Sequence, residues 1–316
     1  MATPYRTVYR SGRDRALVAL LHGARGLLDA VGLERGLRTA DRVAPLVPRV
    51  LRESRELSLE HLALALPELG RVEHERIVRA MFRGHARSVI EIAMMADVAR
   101  RIDALVTIEG LEVMDEALAA GRGVVAITGH IGNWELLAAY FGLHGYPVTV
   151  IATPVKGERL NAENVALRAR VGVETVLRDG PGASRQILRT LKAGRILAIL
   201  MDQATRGQAV QVPFFGRPAW TPIGPALLAQ RTGAHLVGVF IHRQGDGRHV
   251  ISVRRPELPR AEGAAEAAWV EQATASLTAL IEQEIRRRPD EWVWWHRRWR
   301  QTQKPARREV DAVENR

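Results

Sequence analysis

The sequence predicts an α/β protein in which a helical N-terminal region precedes a core of helices flanking a mostly parallel sheet. Three observations carry this expectation. Residues 1–100 place apolar side chains at helical spacing. From about residue 105, short β-branched runs alternate with helical stretches. Runs such as "GVVAIT" (123–128) are apolar at nearly every position, as in strands covered on both faces. The expected organisation is a membrane-associating helical region (1–100), an α/β domain (101–300) and a disordered tail (301–316).

Taken in order, residues 16–33 put Leu17, Leu20, Leu21, Ala24, Leu27, Leu28 and Val31 on one helical face and His22, Arg25 and Asp29 on the other. Such a helix packs on its own domain or lies in a membrane interface. It is too short and too charged to span one. Helices follow at 58–66 and from Val72 to about Arg100. "LVTIEG" reads as a strand, "LEVMDEALAAG" as a helix ended by Gly121, and "GVVAIT" as a buried strand. Next come a helix from Asn133, a strand at 147–152, a helix at 158–171 and a strand at 173–177. A helix at 182–193, the strand "RILAILM" (195–201) and a loop lead to a helix at 222–232. "HLVGVFI" and "HVISVRR" are strands, and the last long helix is 264–288.

The chain of 316 residues, 47% hydrophobic and 26% charged, is long enough to bury a substantial core. It has no cysteine, which excludes disulfides and thiolate metal sites and fits a reducing compartment. The net charge of +11 sits at the ends: nine arginines against four carboxylates in 1–50, and nine basic against two acidic residues in 286–308. That distribution points to an anionic partner at the termini: phospholipid, nucleic acid or an acidic protein. No secretory signal is visible.

The stretch "ITGHIGNWELL" (127–137) holds the chemistry. His130 follows a strand, on the side of an α/β sheet where ligand sites lie. Gly129 and Gly132 leave room for close approach, and Asn133 is a good N-cap that puts Glu135 in the next helix's first turn. A carboxylate taking one ring N–H of His130 would leave the other nitrogen as a base. Equally, Glu135 can serve only the helix dipole, with His130 a satisfied loop residue. No H-x-x-x-H or H-E-x-x-H spacing supplies a metal site, and no G-x-S-x-G supplies a serine nucleophile.

"GHIGNWE" resembles the H-x4-D/E motif of the glycerolipid and lysophospholipid acyltransferase superfamily. The chain as a whole looks like the lipid A late acyltransferases, of lauroyl or myristoyl type. "LALALPELG" (62–70), "RIVRAMFRGHARSVIE" (76–91), "NAENVALRARVG" (161–172), "ILAILMDQ" (196–203), the block at 212–234 and "RRRPDEWVWWHRRWR" (286–300) resemble family blocks in the family's order. The resemblance implies His130 as general base with Glu135 orienting it. It implies Arg168, with Arg170 as runner-up, as an arginine for the oxyanion or donor phosphate, and Asn133, Asp202 and Gln203 as further substrate-binding residues. It also implies an acyl donor that is an acyl carrier protein thioester or acyl-CoA, a glycolipid acceptor, and no cofactor or metal. Ala204 stands where relatives carry an acid, and the front end lacks their clearly hydrophobic anchor.

Phe214 and Phe215 read as core, or alternatively as an acyl-chain wall. Trp292, Trp294, Trp295 and Trp299, mixed with Arg297, Arg298 and Arg300, suit an anionic membrane interface. Taken alone, they would equally stack and neutralise single-stranded nucleic acid. The resulting expectation is an O-acyltransferase peripheral to the cytoplasmic face of the bacterial inner membrane. It acts on a lipid A precursor or on another acceptor, such as a phosphatidylinositol mannoside or a lysophospholipid, and needs no nucleic-acid partner. The rival is a non-catalytic basic protein binding membrane or nucleic acid, which would not need His130 and Glu135 together.

Overall fold

The computed structural model describes residues 4–155, 157–205, 207–259 and 266–299, with side chains from residue 18 onward. The expected tail at 301–316, Arg300 and the Leu17 side chain lie outside the described residues. Helix α1 (Pro4–Val31) is longer than the amphipathic stretch and ends where Gly32 turns to φ 84°. It leads into α2 (Leu33–Val43), a 3-10 turn, α3 (Val47–Val50) and α4 (Arg52–Ala65). The long periodic stretch breaks at Met94 into α5 (Arg71–Ala93) and α6 (Met95–Arg100), and the short α7 (Ile102–Leu105) precedes the first strand.

Strands and helices then alternate as expected. The first half is β1 (Val106–Glu109), α8 (Leu111–Ala119), β2 (Val124–Thr128), α9 (Trp134–Leu143), β3 (Val148–Ala152), α10 (Glu158–Ala169), β4 (Glu174–Leu177), α11 (Ala183–Lys192) and β5 (Ile196–Leu200). The span between β5 and the next helix, expected to be a loop, holds an antiparallel hairpin, β6 (Ala209–Phe214) and β7 (Arg217–Pro222). Its turn is the expected "PFFG": Phe215 (φ 52°) and Gly216 (φ 68°) are both left-handed, which suits a two-residue hairpin. After α12 (Gly224–Thr232) come β8 (His235–Arg243), β9 (His249–Arg254) and α13 (Glu266–Arg287).

Seven strands form one sheet in the order β1-β9-β8-β2-β5-β3-β4. β8, β2, β5, β3 and β4 are parallel, whereas β9 is antiparallel to β8 and carries β1 with it. Alternate residues of the central strands feed two cores. Val125, Ile127, Leu197 and Phe240 pack with Leu62, Ile77 and Met81 of α4 and α5, with Leu277 of α13, and with Trp292 and Trp294. Val124, Ala126, Val150 and Ile196 pack on the other face with Met114 of α8 and Leu137 and Phe141 of α9. Residues before and after position 100 therefore share one hydrophobic cluster. The pairing Thr128↔Leu200 sets the exits of β2 and β5 side by side, so residues 129–133 and 201–205 meet at the carboxyl ends of the strands.

Candidate active site

His130 leaves β2 in a loop fastened on two sides. Val293 N–H donates to the His130 carbonyl, and Gly132 N–H donates to that of Glu291. Two glycines make this fit. A Cβ on Gly129 would come within 3.3 Å of the Asp202 carboxylate, and one on Gly132, at φ 58°, within 2.3 Å of the Ile241 carbonyl. Asn133 caps α9 by accepting from Leu136 N–H at 3.1 Å and donates its own amide to Glu91 at 2.9 Å. Glu91 is buried with Arg243 and His249. Burial pushes it up, but those partners outweigh burial and hold it down to about 2.

The carboxylate that orients His130 is Asp202, at the end of β5. His130 Nδ1 lies 2.8 Å from Asp202 Oδ1, the His130 backbone N–H donates to Oδ2 at 2.7 Å, and Trp292 Nε1–H donates to Oδ2 at 2.8 Å. The Asp202 side chain has no exposed surface. Burial alone would raise its pKa, but the charge of His130 and these three donors prevail, so it sits well below the usual carboxylate range. A hydrogen bond that ties up Nδ1 leaves Nε2 as the basic nitrogen.

This corrects the expected pairing of His130 with Glu135. One turn into α9, Glu135 is engaged by Arg168 of α10 through Nη2–Oε1 at 2.6 Å and Nε–Oε2 at 2.9 Å. Burial works against the Arg168 charge, but Glu135 overcomes it and raises the Arg168 pKa. Four residues separate His130 from Glu135, and the helix start turns the carboxylate towards α10 instead. Arg170, the runner-up, is exposed at the end of α10 and does not line the cavity. Asn133 is 2% exposed and its amide is committed to the cap and to Glu91, so it shapes the loop and does not face the cavity.

His130, Glu135, Arg168 and Gln203 line a cavity of about 580 Å³, the size of a small-ligand pocket. From the strand exits it runs beneath α9 along the sheet to Val148 and Ile196, the first residues of β3 and β5. Over five-residue strands that is roughly 13 Å. The space exists because Ala126 is in register with Ala198, and Ala198 with Val150. Two neighbouring alanines leave a trough where larger side chains would have closed it. The arrangement is thus a carboxylate-held histidine and an arginine–glutamate pair at the mouth of an apolar slot.

Sequence reasoning missed His296 and assigned Trp292 to a membrane interface. The His296 ring stands 4.7 Å from that of His130 at 83°. Burial, and then the charge of His130, push it down to about 4, so it is neutral. His130, Asp202 and His296 bring ligand-type atoms within 4.8 Å of one another, but both Asp202 oxygens are already occupied by N–H groups, so an ion there would have to break those bonds. The signal for these residues was present in "WVWWHRRW", which reads as a surface tail. The structure overturns that for most of it: Trp292 and Trp294 are fully buried, and Arg298 is 1% exposed. The aromatic rings pack on Phe214 and Phe215, which are themselves core, while Arg298 donates to Trp220 O and Thr221 Oγ1.

A family model described as bacterial lipid A biosynthesis acyltransferase matches residues 15–301. The phosphatidylinositol mannoside acyltransferase of Mycobacterium tuberculosis (strain ATCC 25618 / H37Rv) is 32% identical over 151 residues, 47% of this chain and 47% of that protein. The chain thus spans about half the length of that relative. The lipid A biosynthesis palmitoleoyltransferase of Escherichia coli (strain K12) is 26% identical over 82% of this chain and 83% of its own length. The lauroyltransferase of the same organism is 24% identical over 81% and 82%.

Proposed function

The chain belongs to the bacterial lipid A biosynthesis acyltransferase family, and from that premise we propose that it transfers a fatty acyl group from a thioester to a hydroxyl of a membrane glycolipid. The observation that carries the reading is the His130–Asp202 pair at the mouth of an apolar slot. An alcohol is a poor nucleophile at neutral pH, and a positioned base that takes its proton is worth about 10²–10⁴-fold. His130 Nε2 takes that proton as the hydroxyl oxygen adds to the thioester carbon. The carbon–sulfur bond then breaks, and the proton passes to the departing sulfur. Ala126 and Ala198 leave room for the acyl chain, and Arg168, steadied by Glu135, offers charge to the phosphate of an acyl carrier protein or coenzyme A donor.

A lipid A precursor is the first acceptor to test, because the lipid A enzymes align over four-fifths of the chain. A phosphatidylinositol mannoside is the second, favoured by the higher identity over the shorter span. We place the enzyme at the cytoplasmic face of the inner membrane. No described helix is long and apolar enough to cross a membrane, yet α1 turns Leu20 (70% exposed) and Leu27 (68%) outward. The polar face of α1 meets α10, with His22 Nε2 3.2 Å from Glu163 Oε2. The test is acyl transfer from palmitoyl carrier protein to each acceptor, read by mass spectrometry. Transfer to one acceptor by wild type and none by His130→Ala is expected. Equal transfer by His130→Ala overturns the reading.

A further inference from the structure

We propose that the side-chain amide of Gln203 is the donor that stabilises the thioester oxyanion, and that His296 is the residue that positions it. This rests on the acyl-transfer reading. Addition of the hydroxyl oxygen to the thioester carbon moves the carbonyl π pair onto oxygen while the hydroxyl proton goes to His130 Nε2. Until the carbon–sulfur bond breaks, that oxyanion needs an N–H held close by.

Arg168 was the sequence's choice for this role, but its Nε and Nη2 are spent on Glu135. Gln203 follows Asp202 directly and lines the same cavity. Its amide nitrogen lies 3.2 Å from His130 Nε2 and 3.3 Å from Nδ1. Near-equal distances to both nitrogens of one ring place the amide beside the ring face, off the Nε2 lone-pair axis. The lone pair therefore stays open to a hydroxyl, with a donor standing next to the bond being formed. The nitrogen end of the amide is the end set between the two histidine rings.

His296 holds the other side. Its Nδ1 and Nε2 lie 2.8 and 3.0 Å from the same amide nitrogen. The same near-equal spacing sets the amide against the face of the neutral His296 ring, so the ring wedges the amide in place and leaves its hydrogens for the substrate. The His296 backbone is fixed in turn: its carbonyl accepts from Arg298 N–H at 2.7 Å, and the buried Arg298 side chain is anchored on the β6–β7 hairpin at Trp220 and Thr221. A donor that is already in place need not reorganise when charge develops, and that preorganisation is where oxyanion stabilisation comes from.

The experiment uses the full chain with palmitoyl-coenzyme A and whichever of the lipid A precursor and the phosphatidylinositol mannoside the wild type acylates, and reads the released thiol. The protein has no cysteine, so it adds no background. Gln203→Met keeps the shape and removes the donor; we expect kcat to fall about 10²–10³-fold with KM changed by less than about threefold. Gln203→Glu, which puts an anion beside the oxyanion, should fall further and serves in place of Gln203→Met if that variant melts early. His296→Ala should lower kcat in the wild type but add nothing on the Gln203→Met background, because it acts through the amide. His296→Phe, which keeps a flat ring against the amide, should recover part of the loss. Gln203→Met with kcat within threefold of wild type overturns the proposal, as does a His296→Ala loss of the same size with or without Gln203. If His130→Ala releases thiol as fast as wild type, the acyl-transfer reading itself fails and the donor role falls with it.

Discussion

At the scale of single residues, the site turns on which carboxylate serves His130. "GHIGNWE" makes His130 legible, because a histidine between glycines after a buried strand has few other uses. It also suggests the wrong partner. Glu135 is near in sequence, whereas Asp202 arrives from the neighbouring strand, 72 residues away, through a register that no local pattern encodes. Asp202→Asn should therefore lower kcat by about 10²–10⁴-fold with the fold intact, since an amide there admits the wrong histidine tautomer. Glu135→Gln should act on donor binding: it frees one side of the Arg168 pair, so KM for the acyl donor rises more than kcat falls. Steady-state kinetics of the two variants check this. A Glu135→Gln loss confined to kcat, with Asp202→Asn near wild type, would restore the sequence's pairing. Asp202 remains ionised across any practical assay range, because its pKa is held far below the usual value.

At the scale of elements, the alternation after residue 105 was readable because each buried parallel strand is a continuous apolar run. The β6–β7 hairpin was not, since "AVQVPFFGRPAWTP" carries three prolines and exposed positions that do not read as a strand. The reversal of β9 follows from its short connection to β8, which cannot hold a parallel crossover, whereas the pairing of β1 with β9 was hidden because no local pattern names a strand's neighbour. Helix α5 carries a testable consequence. Burial pushes His85 down to about 4, and its Nε2 has no hydrogen-bond partner where it packs between Trp134 and Trp295. Its folded value lies below the unfolded 6.5, so the unfolded chain binds the proton first. Stability from His85 is complete above pH 6.5 and is lost as the pH falls to about 4, on the order of 3 kcal/mol in all. Asp202 and Glu91 act at the acid edge of that window and below it, and His296, also pushed down to about 4, shares the window, so the His85 part is read from the variant. Thermal melting from pH 7 to 4 should show a falling Tm, with a shallower slope for His85→Phe. An unchanged slope would remove His85 as the cause. On β5, Ala198→Phe should fill the slot next to Ala126 and shift the preferred acyl donor to shorter chains, measured with a series of acyl thioesters. Undiminished use of the longest chain would mean that the acyl group lies elsewhere.

At the scale of the molecule, the proposed chemistry needs a glycolipid that stays in the bilayer and a thioester that arrives from water, so the catalytic end must rest on the membrane. Most of the tryptophan tail is core, so the exposed apolar surface that would carry such a contact is on the N-terminal helices. Leu20, Leu21 and Leu27 face outward from α1. The corner 42–52 adds exposed Val43, Leu46, Val50 and Leu51 between exposed Arg42, Arg49 and Arg52, with no acidic residue among them. Contiguous apolar surface rimmed by cations suits anionic lipid. Near such a surface each arginine adds about 1 kcal/mol, an attraction that salt screens, whereas the leucines add an anchoring that it does not. Flotation with anionic vesicles should therefore show binding at low salt and partial release at high salt. Release should be nearly complete at high salt for Leu20→Asp/Leu27→Asp combined with Leu46→Asp/Val50→Asp. At low salt the same variant should keep a residual attraction, because its arginines remain. Zwitterionic vesicles should bind the wild type weakly, as only the apolar part acts there. If the wild type stays unbound with anionic vesicles at low salt, the α1 and 42–52 surfaces are not a membrane contact. Full retention of the four-site variant at high salt would place the contact elsewhere on the chain.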